Sequence, residues 1–406
     1  MREVVVVGAG LAGVRAAGSL RDAGFDGRLT VVSDERELPY DRPPLTKQVV
    51  AGTMTGDDIR LAGDGEFGAR WIRGTAAVGL DRERRRVRLA DGAELPYDGV
   101  VLAPGAKARE WPGAGVPGGV LTVRGLADVR RLRAEVDGGA DEVVIVGAGF
   151  VGVELASSLS GLGVKVTLVE TFGAPLRALG GTVSQVVTEA AGRAGVALRL
   201  GVGVRGFAAA GDGRVRAVVL ADGAEVSASL VVVAIGMVPA TGWLAGSGLA
   251  LPSGRIHCDE RLFARAAGGV GGTAGAGAGA GAGVADPAVV VAGDAAWCEA
   301  VRTAEGPVPL EHWSNAAAQG ELAGRNLLAG PAAAEPYAHV PSFWTTAFGL
   351  RIRSVGLPGT GDREVVEAGS AAEGAVLVAH YLGEQLVGAV SVNQGKLLPG
   401  YARRLG

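Results

Sequence analysis

Two segments of this chain open in the same way. The first reads Val4-Val5-Val6-Val7-Gly8-Ala9-Gly10-Leu11-Ala12-Gly13, and the second Val143-Val144-Ile145-Val146-Gly147-Ala148-Gly149-Phe150-Val151-Gly152. A run of β-branched residues predicts a buried parallel strand, and the glycines that follow predict a tight turn into a helix. Each glycine has its own task. The first makes the turn, the second lets backbone approach a pyrophosphate, and the third lets the helix pack closely on the strand. The helix N-terminus then offers its unpaired N–H groups to negative charge. One such motif is a weak signal. Two, in the same register, restrict the chain to an α/β protein with two dinucleotide-binding units.

The repeat extends past the glycines. Leu20 and Gly24 stand to the first motif as Leu159 and Gly163 stand to the second, and each helix leads to a second strand, Leu29–Val32 and Val164–Val169. Further on, a hairpin turning at Asp91-Gly92 precedes the buried run Val100-Val101-Leu102, and a hairpin at Asp222-Gly223 precedes Val231-Val232-Val233. Alternation around an Asp-Gly pair is a hairpin signature. Two doubly wound parallel sheets are therefore expected.

At 406 residues the chain is long enough for several cores. A formal net charge of −3 provides no global attraction to nucleic acid or to an anionic membrane. Cys258 and Cys298 lie far apart in sequence, which speaks against a disulfide-stapled secreted protein and leaves no CxxC redox pair. No secretory leader is read at the start, where a strand begins at once. The uncharged stretch Val226 to Gly254 is broken by Pro239, Pro252 and several glycines, so no membrane span is expected there. A cytoplasmic protein without a metal site is the expectation.

Three domains in four segments are expected: residues 1–110 and 241–335 forming one nucleotide-binding domain, 111–240 the other, and 336–406 a small C-terminal α+β domain. The Gly/Ala tract Ala266 to Ala285 reads as a flexible insertion between two strands. A helix is predicted from about His312 to Leu328, stopped by Gly330-Pro331.

Four further segments carry a family resemblance: Leu38-Pro39-Tyr40-Asp41-Arg42-Pro43-Pro44-Leu45-Thr46-Lys47, Glu154 behind the second glycine motif, Glu311-His312-Trp313-Ser314-Asn315, and Ser342-Phe343-Trp344. Together with the late Gly293-Asp294, this order resembles the NADH-dependent ferredoxin reductases that serve bacterial oxygenases, flavoproteins of the glutathione-reductase fold. The resemblance implies FAD on the first motif, with pyrophosphate over Gly8, Gly10, Leu11, Ala12 and Gly13. It implies Asp34 on the adenosine ribose, with Glu35 as the other candidate. It implies Lys47 beside the flavin N5, Asp294 on the ribityl chain and Trp313 against the flavin. Arg42, Val78, Ala103, Gly105 and Arg109 complete the FAD set.

The second motif, Gly147, Gly149, Phe150, Val151 and Gly152, is expected to hold NADH, together with Gly236. Glu170 ends the following strand, where a carboxylate binds both ribose hydroxyls and repels a 2′-phosphate. The resemblance implies that Glu154 approaches the nicotinamide and pairs with Lys47; these two are the candidate catalytic residues. With no cysteine pair beside the flavin, electrons are expected to leave singly to a [2Fe–2S] ferredoxin, the chain being a monomer or homodimer.

Some residues depart from the family pattern. Pro104 stands where the family has Thr, and Thr345-Thr346-Ala347-Phe348 replaces Ser-Asp-Gln-Tyr. These departures keep two other readings open: a flavin-dependent NADH oxidase or tailoring enzyme acting on oxygen or a small molecule, and an NADH-sensing interaction flavoprotein resembling apoptosis-inducing factor. Arg82, Arg84, Arg85, Arg86 and Arg88, or Arg351, Arg353, Arg403 and Arg404, are either solvated faces or a patch for an acidic ferredoxin.

Overall fold

The computed structural model describes residues 1–63, 65–268, 282–303 and 306–406. The chain divides into two compact units. One comprises Met1–Asp41, Ile59–Lys107 and Val238–His339; the other comprises Arg42–Asp58, Ala108–Met237 and Val340–Gly406.

In the first unit, the strand Glu3–Val7 lies between Arg28–Val32 and Gly99–Leu102, parallel to both. Val4 to Val7 are all buried, as a strand covered on both faces requires. Arg70–Ile72 extends one edge of the sheet in parallel, and Ala282–Val291 joins on the other side. Phe263–Ala267, Ile256–Cys258 and Ala296–Cys298 then complete a sheet of eight described strands. Of the Gly/Ala tract, expected as a flexible insertion from Ala266 to Ala285, the flanks are strand as far as Ala267 and again from Ala282, where the two pair antiparallel; residues 269–281 lie outside the described residues.

The first motif helix, Leu11–Asp22, packs on the helix Trp313–Ala329. Gly320 and Gly324 make this possible. A Cβ on Gly320 would sit 2.3 Å from the Ala12 carbonyl oxygen, and one on Gly324 would sit 2.6 Å from that of Ala16. The late helix begins at Trp313 with His312 as its N-cap, one residue after the expected start.

The second unit contains a fully parallel sheet in the order Ala197–Leu200, Lys165–Glu170, Glu142–Val146, Leu230–Val233 and Val120–Thr122. Both Asp-Gly hairpins form where predicted. From Ser342 onward an antiparallel sheet of five strands carries the short helix Leu398–Leu405, with Leu398 and Leu405 packed over Val355, Leu377 and Ala389. The segment Arg42–Asp58, expected within the first nucleotide-binding domain, packs in this second unit. There Ser158 Oγ donates to the Thr46 carbonyl at 2.7 Å and Arg133 Nη1 to that of Val50 at 3.0 Å. No helix among the described residues is long and apolar enough to cross a membrane.

Candidate functional site

The two glycine turns are built alike, atom by atom. Gly8 and Gly147 have φ of +107° and +104°, a conformation that side chains rarely adopt. Their added Cβ atoms would also collide with backbone, 2.0 Å from the Ala103 oxygen and 2.4 Å from the Ala234 oxygen. Gly13 and Gly152 let helix meet strand: each Cβ would lie 1.9 Å from the carbonyl oxygen of Gly8 or Gly147. Gly10 and Gly149 differ. Each is in extended backbone at the N-cap of its helix, and a Cβ on either meets nothing within 4 Å. Nothing within the chain itself requires glycine at this middle position. Open space over a helix N-terminus suits a pyrophosphate, and it occurs in both units.

In the first unit, Leu11 and Ala12 open the motif helix. Asp34 is exposed, with Lys107 Nζ 3.9 Å away, while Glu35 accepts a hydrogen bond from the Tyr40 hydroxyl and is half-buried. That leaves Asp34 the freer carboxylate for a ribose. Ala103 is buried against Gly8, and the Gly105 carbonyl accepts from the Ala240 N–H at 3.0 Å. Val78 is exposed on the strand Ala77–Asp81. Asp294 lies in a single helical turn whose Gly293 N–H donates to Gln319 Oε1 at 2.9 Å. The Trp313 indole N–H donates to Asp41 Oδ1 at 2.7 Å, which fixes the ring at the start of its helix. Sequence reasoning missed Arg255. Buried at 8% exposure, its guanidinium donates to the Asp294 carbonyl and to Glu311, tying the turn to the strand Ile256–Cys258. An arginine between a single turn, Pro252–Gly254, and a short strand carries no sequence signal of that role.

The second unit gathers the remaining site residues. Glu170 Oε2 accepts the Ala148 N–H at 2.7 Å and Oε1 accepts the Phe172 N–H at 3.0 Å, so the carboxylate is held at the mouth of the glycine turn. Gly236 lies just past the strand Leu230–Val233, and its carbonyl accepts from the Arg109 N–H at 2.9 Å; Arg109 Nη2 reaches the Met237 carbonyl at 3.3 Å. Arg109, assigned by resemblance to FAD, thus stands with Gly236 of the NADH set. Arg42 Nη1 donates to the Arg124 carbonyl at 2.9 Å. Val151 follows Phe150 in the first turn of the second motif helix, and the Phe150 ring lies 4.1 Å from that of Phe343.

Lys47 and Glu154 meet, as the resemblance implies. Lys47 Nζ is 2.8 Å from Glu154 Oε1, with side-chain exposures of 13% and 9%. Lys47 sits in the π-helical turn Leu45–Val49, which follows Pro43-Pro44, and Glu154 sits one turn into the helix Phe150–Gly161. A buried ion pair is stable only when its remaining lone pairs are also satisfied. Here the Thr46 and Thr345 hydroxyls both donate to the same carboxylate.

Among the described residues no cluster of three or more His, Cys, Asp or Glu could hold a metal ion. Cys258 and Cys298 are free thiols, yet they are register partners on neighbouring parallel strands and both are buried.

Two nucleotide cradles, a strand-end carboxylate and a buried lysine–glutamate pair define a class of two-dinucleotide oxidoreductase. The chain belongs to the pyridine nucleotide-disulphide oxidoreductase family, whose profile matches residues 2–320, and residues 342–405 match the reductase C-terminal domain. FAD and a nicotinamide dinucleotide are the cofactors of this family. The chain is 33% identical to rhodocoxin reductase of Rhodococcus erythropolis over 96% of its own length and 86% of that protein. It is 30% identical to putidaredoxin reductase of Pseudomonas putida, over 96% of its length and 88% of the relative. Among solved structures, the covalent putidaredoxin reductase–putidaredoxin complex matches with a TM-score of 0.87 at 28% identity, covering all of this chain and 93% of the other. The ferredoxin reductase of the CYP199A2 system from Rhodopseudomonas palustris matches at 0.86 and 30%, covering 98% and 92%.

Proposed function

We propose that the protein takes electrons from NADH, passes them through FAD, and delivers them to a [2Fe–2S] ferredoxin that serves an oxygenase or a cytochrome P450. The observation that carries this reading is the full-length agreement with ferredoxin reductases, C-terminal domain included. FAD, when bound, supplies the conversion of a two-electron hydride donor into single-electron transfers. The residues do the rest. Open backbone at Gly10 and Gly149 admits the two pyrophosphates, and Asp34 and Glu170 accept ribose hydroxyls. Glu170 also repels a 2′-phosphate, which supports NADH over NADPH. Lys47 holds a positive charge that favours an anionic neighbour, and Glu154 keeps that ammonium in place.

The acceptor reading has local support in the second unit. On one face of the C-terminal sheet, Trp344 pairs across from Arg353 and Thr346 from Arg351, and all four side chains are exposed. Cations around an aromatic suit an acidic ferredoxin. Of the other basic run, Arg82 is instead committed to Asp286 at 2.8 Å and to the Gly248 carbonyl. A cytoplasmic location follows from this reading, since NADH and reduced ferredoxin are both held there.

The test is steady-state reduction of a [2Fe–2S] ferredoxin, followed by the bleaching of its own visible band. NADH should support it at least about tenfold better than NADPH in kcat/KM. Oxidation of NADH at an undiminished rate without ferredoxin, with oxygen consumed, would instead establish the oxidase.

A further inference from the structure

The helix Phe150–Gly161 presents a stripe at positions 150, 154, 157 and 158 that is engaged along its whole length. The Phe150 ring packs tilted against that of Phe343, Ser157 Oγ accepts the Phe348 N–H at 2.7 Å, and Ser158 Oγ donates to the Thr46 carbonyl. In the middle of the stripe stands Glu154, 7% exposed. Its Oε1 accepts from Lys47 Nζ and from Thr345 Oγ1, and its Oε2 accepts from Thr46 Oγ1. Thr345 is itself 1% exposed and belongs to the first strand of the C-terminal sheet, Ser342–Ala347.

A carboxylate offers about four acceptor positions, and three are filled here by donors from two separate stretches of chain, Thr46-Lys47 and Thr345. Hydrogen bonds from hydroxyls fix the rotamer of the carboxylate that accepts them. The fold therefore uses the C-terminal domain for more than a lid of strands. From 191 residues away it brings one hydroxyl to the acid that holds Lys47.

We propose that Thr345, assisted by Thr46, is a positioning residue for the Lys47–Glu154 pair. The hydroxyl of Thr345 keeps Glu154 in one rotamer, and so keeps the Lys47 ammonium in place for hydride uptake from NADH. The proposal rests on the reading of Lys47 and Glu154 as the catalytic pair. It does not depend on the identity of the electron acceptor, because the step it governs precedes the acceptor.

The experiment compares Thr345→Val, Thr345→Ser and Thr46→Val holoenzymes with the native protein. Anaerobic bleaching of the bound flavin by NADH is followed from pH 5 to 9 without any ferredoxin, and the flavin midpoint potential is measured separately. Thr345→Val keeps the shape and removes the donor. It should slow the limiting rate by about tenfold, roughly one charge-assisted hydrogen bond expressed in the barrier, with little change in the NADH concentration at half-saturation. The flavin potential should fall. Thr345→Ser should restore both. Thr46→Val serves if Thr345→Val does not fold, and it should show the same pattern. A native rate and potential in the valine variants would overturn the proposal, as would a failure of serine to rescue. If ferredoxin is not reduced while these shifts still occur, only the acceptor assignment fails.

Discussion

Ser33 and Glu170 occupy the same station in the two nucleotide-binding repeats. Each follows the strand residue whose carbonyl accepts the first motif glycine: Gly8 N–H to Val32 and Gly147 N–H to Val169, both at 2.8 Å. Twenty-four positions separate Gly8 from Val32 and 22 separate Gly147 from Val169, so the first repeat carries extra chain before its second strand. The carboxylate at the strand end of the second repeat is thus a serine in the first, and the acid comes one residue later at Asp34. Glu170 is anchored by two backbone N–H groups; Asp34 is exposed, with Lys107 nearby.

That difference sets the expected behaviour of the two acids. Glu170→Ala should raise the KM for NADH by about 10- to 100-fold and leave kcat within about threefold, because ribose binding is common to ground and transition states. Asp34→Asn should leave NADH kinetics at saturating FAD unchanged and increase flavin loss on dialysis. Steady-state kinetics and flavin-to-protein absorbance ratios check both.

The glycines divide by what crowds them. Gly10→Ala should fold with a melting temperature within about 2 °C of native apoprotein, since its Cβ meets nothing, yet fail to retain FAD. Gly13→Ala should not accumulate as folded protein, because its Cβ would lie 1.9 Å from the Gly8 oxygen. Circular dichroism melts beside flavin absorbance separate the two outcomes. A yellow, stable Gly10→Val protein would remove the FAD assignment.

Burial lowers the pKa of His312 from 6.5 to about 4, against the opposing pull of the Asp294 carboxylate. The folded protein therefore holds this ring neutral while the unfolded chain takes up a proton as pH falls through 6.5. Stability should be lost between pH 6.5 and about 4, by up to about 3 kcal/mol from this residue. Urea melts at pH 7.5, 6 and 5 should show that slope, and His312→Gln should flatten it.

Cys258 and Cys298 are buried, and the hydrogen bond to Cys298 together with burial pushes the Cys258 thiol well up. A thiol reagent should label neither in the native protein and both after unfolding. C258S combined with C298S should leave turnover within about twofold of native, because neither sulfur lies on the electron path proposed here. A dead but folded double mutant would restore a dithiol mechanism.

Much of this was legible in the sequence because a short motif marks it. The glycine turns and Asp-Gly hairpins are written in a few consecutive residues, and Glu170 is marked by its place at the end of the strand that follows the second motif. What escaped depends on chain brought from afar. Nothing near Thr345 announces that it meets Glu154 across 191 positions, and Arg255 has no motif to mark its hold on Asp294. The Arg42–Asp58 segment read as part of the first domain because it follows the first strands in order. It packs in the second unit because its backbone finds partners there in Ser158 and Arg133. The cysteines, 40 positions apart, are neighbours only through a parallel pairing that no spacing rule exposes.

The most direct test of the central claim is anaerobic stopped-flow absorbance of the purified protein, mixed first with NADH and then with a [2Fe–2S] ferredoxin. Rapid bleaching of bound flavin by NADH, followed by rapid return of flavin colour as the ferredoxin band bleaches, is the predicted result. Bleached flavin that ferredoxin leaves untouched and only oxygen restores would contradict the account of the acceptor. Protein purified without any flavin, and unable to bind added FAD, would contradict the account at its root.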